Sequence, residues 1–205
     1  MSHLFCFGLG YTGTALAKSL MADGWTVSGT CRTAEHQKTL ADDGITAHLF
    51  DRDHPMSPDV LKGATHILNS VPPDSHGDPV LDAIAAFVAE AQATWVGYLS
   101  TTGVYGDRGG DWVDETAEMA PTAERSHRRV MAEGTWFVLW RETSLPVHIF
   151  RLAGIYGPGR SPLDQIRSGA ARRINKPGHT FSRIHVDDIV AVLRASMAAP
   201  SPGSV

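Results

Sequence analysis

An α/β fold built on a doubly wound parallel sheet is predicted by three features of the sequence. The first is a short apolar run, Leu4-Phe5-Cys6-Phe7, that stops at a glycine and restarts with helical spacing. The second is the regular alternation of strand-length apolar runs with amphipathic helical stretches as far as Ser100. The third is Gly8-x-Gly10-x-x-Gly13, set in the turn between the first strand and the first helix. In that setting it is the fingerprint of a dinucleotide-binding turn.

Each element follows from local chemistry. Gly8 permits the tight turn, Gly10 lets a pyrophosphate approach the backbone, and Gly13 lets helix and strand pack closely. The helix that this motif opens turns its free N–H groups and positive dipole end to the phosphates. Leu16, Leu20 and Met21 share one face of that helix, and Gly24 stops it. The run 25–30 is the second strand, joined by a right-handed crossover. Thr33 caps a short helix through Asp43, ended by Gly44, and 45–50 is the third strand, followed by Asp51. Ser57-Pro58 starts another short helix. The run 65–71 is the fourth strand, stopped by Pro72-Pro73. Asp78-Pro79 opens a helix whose stripe of Val80, Leu81, Ile84, Phe87, Val88 and Ala91 is expected in the core. The run 95–100 is the fifth strand. Ligands of such a sheet, the Rossmann fold, sit at the carboxyl ends of its strands. Those ends place Gly8, Gly10, Tyr11, Thr12, Gly13, Arg32, Asp51, Ser70, Val71, Pro72 and Ser100 around a cofactor.

The second strand end carries the cofactor preference. NAD-binding folds usually place Asp or Glu there, to accept from the ribose 2′-hydroxyl. Here the residues are Thr30-Cys31-Arg32-Thr33. A guanidinium suits a 2′-phosphate, because it can pair with it bidentately. NADP(H) is therefore the expected cofactor, with NAD as second choice; an ordinary exposed loop arginine is the competing explanation of Arg32.

Composition narrows the classes further. The 205 residues are 42% hydrophobic and 20% charged, enough for one buried core, and residues 1–205 are expected to form a single dinucleotide-binding domain. A net charge of −4 argues against a nucleic-acid surface. The ten histidines show no metal-ligand spacing and are expected as surface or capping residues. Two cysteines make no disulfide framework, and Cys6 is expected in the core. No apolar run has membrane-spanning length, and the fold begins close to Met1. A cytoplasmic location without membrane attachment is the expectation.

Three later segments carry a resemblance. Leu99-Ser100-Thr101-Thr102-Gly103-Val104-Tyr105-Gly106-Asp107 resembles the SSxxVYG strand end of extended short-chain dehydrogenase/reductases, the NAD-dependent epimerase/dehydratase group. Phe150-Arg151-Leu152-Ala153-Gly154-Ile155-Tyr156-Gly157-Pro158-Gly159 is similar to that group's RxxxxYGPG segment, which implies that Pro158 borders the cofactor. Arg183-Ile184-His185-Val186-Asp187-Asp188 is similar to its HVxD segment.

The sequence departs from that group in two places. The group usually begins GxxGxxG, whose first glycine falls at Phe7. Its catalytic YxxxK, on the helix after the VYG segment, falls here on Arg125 and Arg129, and residues 121–133 hold no tyrosine. The sequence thus looks like the atypical members that keep the fold and lose the tyrosine. Arginine cannot exchange protons near neutrality. The resemblance still implies that Thr101 hydrogen-bonds a substrate oxygen and that Arg129 replaces the lysine as a fixed charge. Tyr105, His127 and Tyr156 are the candidates for the proton shuttle, each of which can equally be a packing or surface residue.

Ser161-Pro162 caps a helix through Arg167, and Asp187 is expected to cap the last helix, with Ile189, Val190, Leu193 and Met197 buried. Residues 157–185 are expected to form a small, incomplete substrate lobe, which in the resembling family continues past the point where Val205 stands. Arg172, Arg173 and Lys176 form either a solvated basic loop or a clamp for a phosphorylated or nucleotide-linked small-molecule substrate. A homodimer is compatible with all of this.

Two functions stay open at this stage: an NADP(H)-dependent epimerase, dehydratase or reductase acting at a carbonyl or hydroxyl carbon, or a catalytically silent NAD(P)-binding regulatory or redox-sensing protein. A methyltransferase is disfavoured, since it would want a carboxylate where Arg32 stands.

Overall fold

In the computed structural model, described over residues 2–172 and 180–204, strands and helices alternate as the sequence predicts. In chain order they are β1 (His3–Phe7), α1 (Tyr11–Met21), β2 (Thr26–Cys31), α2 (Ala34–Asp42), β3 (Thr46–Leu49), a 3₁₀ turn (Pro58–Leu61), β4 (His66–Asn69), α3 (Pro79–Glu90), β5 (Trp95–Thr101) and a second 3₁₀ turn (Thr102–Tyr105). Then come α4 (Glu124–Thr143), β6 (Val147–Leu152), β7 (Gly154–Tyr156), α5 (Pro162–Arg167), β8 (Arg183–His185), α6 (Val186–Ala198) and β9 (Gly203–Ser204).

Seven strands form one parallel sheet in the order β3-β2-β1-β4-β5-β6-β9. β1 is flanked by β2 on one side and β4 on the other, with Leu4 opposite both Val27 and His66. The order therefore reverses at β1, which opens a crevice beyond the carboxyl ends of β1 and β4. β7 and β8 form a separate parallel pair.

Both faces of the sheet are covered, so strand residues are buried in alternation on two sides. Leu4 and Cys6 join Leu16, Leu20, Leu68, Ile189 and Leu193 beneath α1 and α6. Phe5 and Phe7 join Ile67, Val80, Ile84, Val96, Trp136 and Ile149 beneath α3 and α4. Each such side chain contributes about 1.5–3 kcal/mol by leaving water.

Three expectations are corrected. Phe87 is 41% exposed, on an α3 whose backbone departs from helical geometry at Ile84 (φ −145°), while Val88 of the same stripe stays buried. Asp187 does not cap α6; its N–H instead donates to Nδ1 of His185, which is the cap. His66 and His148 are core residues, set against Trp95 with ring centroids 6.3 Å and 5.6 Å away. Thr33, Ser57, Asp78 and Ser161 cap as expected. Both cysteines are buried and unbridged. No helix among the described residues is long and apolar enough to cross a membrane, and none of those residues cluster as metal ligands.

Candidate dinucleotide site

A cleft of about 490 Å3 opens at the crevice where the strand order reverses. Of the residues expected around a cofactor, Gly8, Gly10, Arg32, Asp51, Ser70, Val71 and Pro72 line it. Thr30, at the same strand end as Arg32, lines it as well, and the structure adds Thr33, His36, Phe50, Arg52 and Asp74.

The floor is the fingerprint turn. Gly8 has φ +82°, and a Cβ there would stand 2.9 Å from Ser70 Oγ. Its N–H donates to Thr30 Oγ1 at 2.8 Å, and its carbonyl accepts from Ser70 Oγ at 2.6 Å. The strand ends on either side of β1 thus hold both backbone groups of this glycine. Gly13 packs as the motif requires, since a Cβ would meet Gly8 O at 2.8 Å. A Cβ on Gly10 would instead project into open space, with nothing nearer than Gly8 O at 4.0 Å. Gly10 is also the N-cap of α1 and supplies no side-chain acceptor, and the first turn holds no acidic residue. The N–H groups that begin α1 are therefore left to an outside anion. These features fit the diphosphate of a dinucleotide.

The walls are charged unevenly. Arg52 sits between two carboxylates, in a forked pair with Asp74 and 2.8 Å from Asp82. The guanidinium holds the Asp74 carboxyl down, to about 2. Asp51 is engaged too: its Oδ1 accepts from the N–H groups of Asp53 and His54 and lies 2.7 Å from the His54 ring. That hydrogen bond holds the carboxyl below its ordinary range. Arg32 is exposed, and no acid among the described residues pairs with it. Beside it, Thr33 Oγ1 accepts from the His36 N–H at 3.2 Å. Cys31 also lines the cleft, its thiol pushed up by burial.

The fourth strand end is held from below. Asn69 donates to Asp78, and its Oδ1 accepts from the Val71 N–H at 2.8 Å. Asp78 also accepts from the Val80 N–H and from Trp136 Nε1, each at 2.9 Å. Burial nonetheless raises its carboxyl above the ordinary value.

The remaining predicted residues lie outside the lining of this cleft. Tyr11 donates from its hydroxyl to Pro158 O at 3.0 Å, which joins the start of α1 to the 157–160 turn. Thr12 and Gly13 are buried at the helix start. Thr101 caps the second 3₁₀ turn, accepting from the Gly103 N–H at 3.1 Å. Ser100 donates to Glu133, which is buried and paired at 2.9 Å with Arg151. Arg151 also donates to the Tyr105 hydroxyl at 2.9 Å and lies over its ring. Arg129 donates to Leu99 O and, at 3.2 Å, to the Tyr98 hydroxyl. Arg125 stands one turn nearer the start of α4 and is exposed; His127 is exposed as well. Tyr156 is 37% exposed and packs on His185. Arg172 is exposed, while Arg173 and Lys176 lie outside the described residues.

His36 and Arg52 carry no assignment from sequence, whereas Thr30 stands at a strand end expected to face the ligand. The locked state of Arg52 depends on Asp74 and Asp82, 22 and 30 residues away, and could not be read locally.

The sheet order and the crevice define a Rossmann-type protein, with the fold of sugar-nucleotide epimerases and dehydratases. The UDP-glucuronic acid 4-epimerase from Bacillus cereus, in complex with UDP-glucuronic acid and NAD, superimposes with a TM-score of 0.78 at 17% identity, over 99% of this chain and 76% of that one. A functionally unknown conserved protein from Silicibacter pomeroyi DSS superimposes with a TM-score of 0.90 at 49% identity, over 100% of this chain and 71% of that one. No family model matches the chain. Protein YeeZ of Escherichia coli K12 is 30% identical over 220 residues, which cover 100% of this chain and 76% of that protein, and the chain belongs to the family of Protein YeeZ.

Proposed function

We propose that this chain binds NADP(H) and serves an epimerase/dehydratase-type oxidoreductase acting at a carbonyl or hydroxyl carbon of a phosphorylated or nucleotide-linked small molecule. The observation that carries the cofactor preference is the charge pattern of the cleft. Arg52 is neutralised by Asp74 and Asp82, whereas Arg32, at the end of β2, has no acidic partner among the described residues. A free guanidinium where NAD-binding folds place a carboxylate favours a 2′-phosphate over a bare ribose hydroxyl. The substrate class is supported by the fold shared with the Bacillus cereus epimerase, which binds UDP-glucuronic acid and NAD.

A nicotinamide, when bound, supplies hydride exchange. The chain's own part is to hold and orient. Thr101, at the end of β5, offers a hydroxyl to a substrate oxygen. Arg129 fixes that strand end through Leu99 O and places positive charge beside it. Tyr105 takes a positioning role in this reading, supported by its burial and by its hydroxyl, which accepts from Arg151.

Calorimetric titration with NADPH and NADH tests the cofactor assignment. Wild type is expected to prefer NADPH. Arg32→Ala is expected to weaken NADPH about tenfold or more, the scale of a lost charge-assisted hydrogen bond, and to leave NADH nearly unchanged. Equal weakening of both would remove the assignment.

A further inference from the structure

We propose that Arg160 clamps the diphosphate of the dinucleotide, held in position on the ring of Tyr11; this rests on the dinucleotide reading of the cleft. Tyr11 is the first residue of α1, and its hydroxyl bond to Pro158 O leans the ring onto the 157–160 turn. The guanidinium carbon of Arg160 lies over that ring, 5.3 Å from its centroid. Stacking uses the flat face of a guanidinium and leaves its in-plane N–H groups free for a forked pair with phosphate oxygens.

The turn that carries Arg160 is held firmly. Gly157 and Arg160 exchange backbone hydrogen bonds of 3.2 Å and 3.0 Å. A Cβ on Gly157 would stand 2.5 Å from Tyr11 Oη and 2.8 Å from Val186 Cγ1, so only glycine lets the turn press this closely on α1. This construction ends in a cation with no acidic partner among the described residues. Arg52, Arg128, Arg151, Arg167 and Arg194 each meet a carboxylate. Arg32 and Arg160 are among the arginines that do not, and these two bracket the fingerprint turn, one at the end of β2 and the other over the first residue of α1. In a chain of net charge −4, these two cations flanking an uncapped helix start match the diphosphate and the 2′-phosphate of one ligand.

Titration calorimetry on the full chain tests this with four probes: NADPH, ADP-ribose, 2′-AMP and UDP-glucose. Arg160→Ala is expected to weaken NADPH and ADP-ribose alike, by about tenfold or more, and to spare 2′-AMP. Arg32→Ala is expected to weaken NADPH and 2′-AMP and to spare ADP-ribose. Arg160→Lys, which keeps the charge and loses the fork, should fall between wild type and Arg160→Ala. Thermal melts of each variant separate a lost clamp from a lost fold. ADP-ribose bound equally well by wild type and Arg160→Ala overturns the clamp and leaves the cofactor reading standing. A loss confined to UDP-glucose also overturns it, by moving the arginine to the substrate. If wild type binds neither NADPH nor ADP-ribose, the dinucleotide reading falls and takes the clamp with it.

Discussion

At the scale of single residues, space around a glycine decides what a methyl group does. A Cβ on Gly29 in β2 would stand 2.2 Å from Cys6 O and 2.9 Å from Leu9 Cδ1, so β1 and β2 must separate to admit it. Gly134, exposed in the middle of α4, would meet nothing within 4 Å. Gly29→Ala is therefore expected to destabilise the protein by about 3 kcal/mol, the upper range for overpacking. Gly134→Ala should stabilise it by about 1 kcal/mol through helix propensity. Urea unfolding measures both, and equal effects of the two would contradict this account. The sequence made the fingerprint glycines legible, because their roles depend on neighbours within a few positions. It did not reveal Gly29 or Gly157, whose crowding comes from Cys6 and Tyr11 across the fold.

At the scale of elements, a buried ion pair ties α4 to β6. Glu133 and Arg151 are 1% and 5% exposed at the side chain, and Ser100 donates to the same carboxylate. Removing one partner strands a charge in the core, so Glu133→Ala should cost about 3–5 kcal/mol. Replacing the pair together by Glu133→Leu and Arg151→Met should cost much less than the sum of the single changes, as a double-mutant cycle in urea would show. Additive losses would mean that the pair does not act as a unit. Strand and helix order was legible because apolar periodicity is local, and caps such as Thr33 and Asp78 announce themselves in one residue. The kink at Ile84 and the pairing of β7 with β8 are set by tertiary contacts and left no mark in the pattern. The same holds for α6, where His185 displaced the expected Asp187 as cap.

At the scale of the whole molecule, the core contains two histidine rings whose burial left no mark in the local sequence. His148 is 1% exposed, stacked on Trp95, with Nδ1 3.2 Å from Val96 O and no partner for Nε2 among the described residues. His66 lies between Trp25 and Trp95. Burial holds both imidazoles below the ordinary value of 6.5. Above that pH both folded and unfolded chains carry neutral rings, and stability is unaffected by them. As pH falls below 6.5 the unfolded chain takes up protons first, so the folded state loses stability until its own rings titrate. The surface and half-buried carboxylates held low by partners, Asp51, Asp59, Asp74 and Asp114, act in the same direction but only below about 3.8. Asp78 acts oppositely: burial raises its carboxyl, so its contribution weakens as pH rises from 3.8. The histidine effect is thus the one that begins near 6.5. The urea midpoint of wild type is expected to fall as the pH is lowered from 7 to 5. In His148→Phe, which keeps a ring against Trp95 without a proton site, the fall should be shallower, and shallower again with His66→Phe added. Parallel pH profiles for wild type and the double variant would show that these rings do not set the acid limit of the fold.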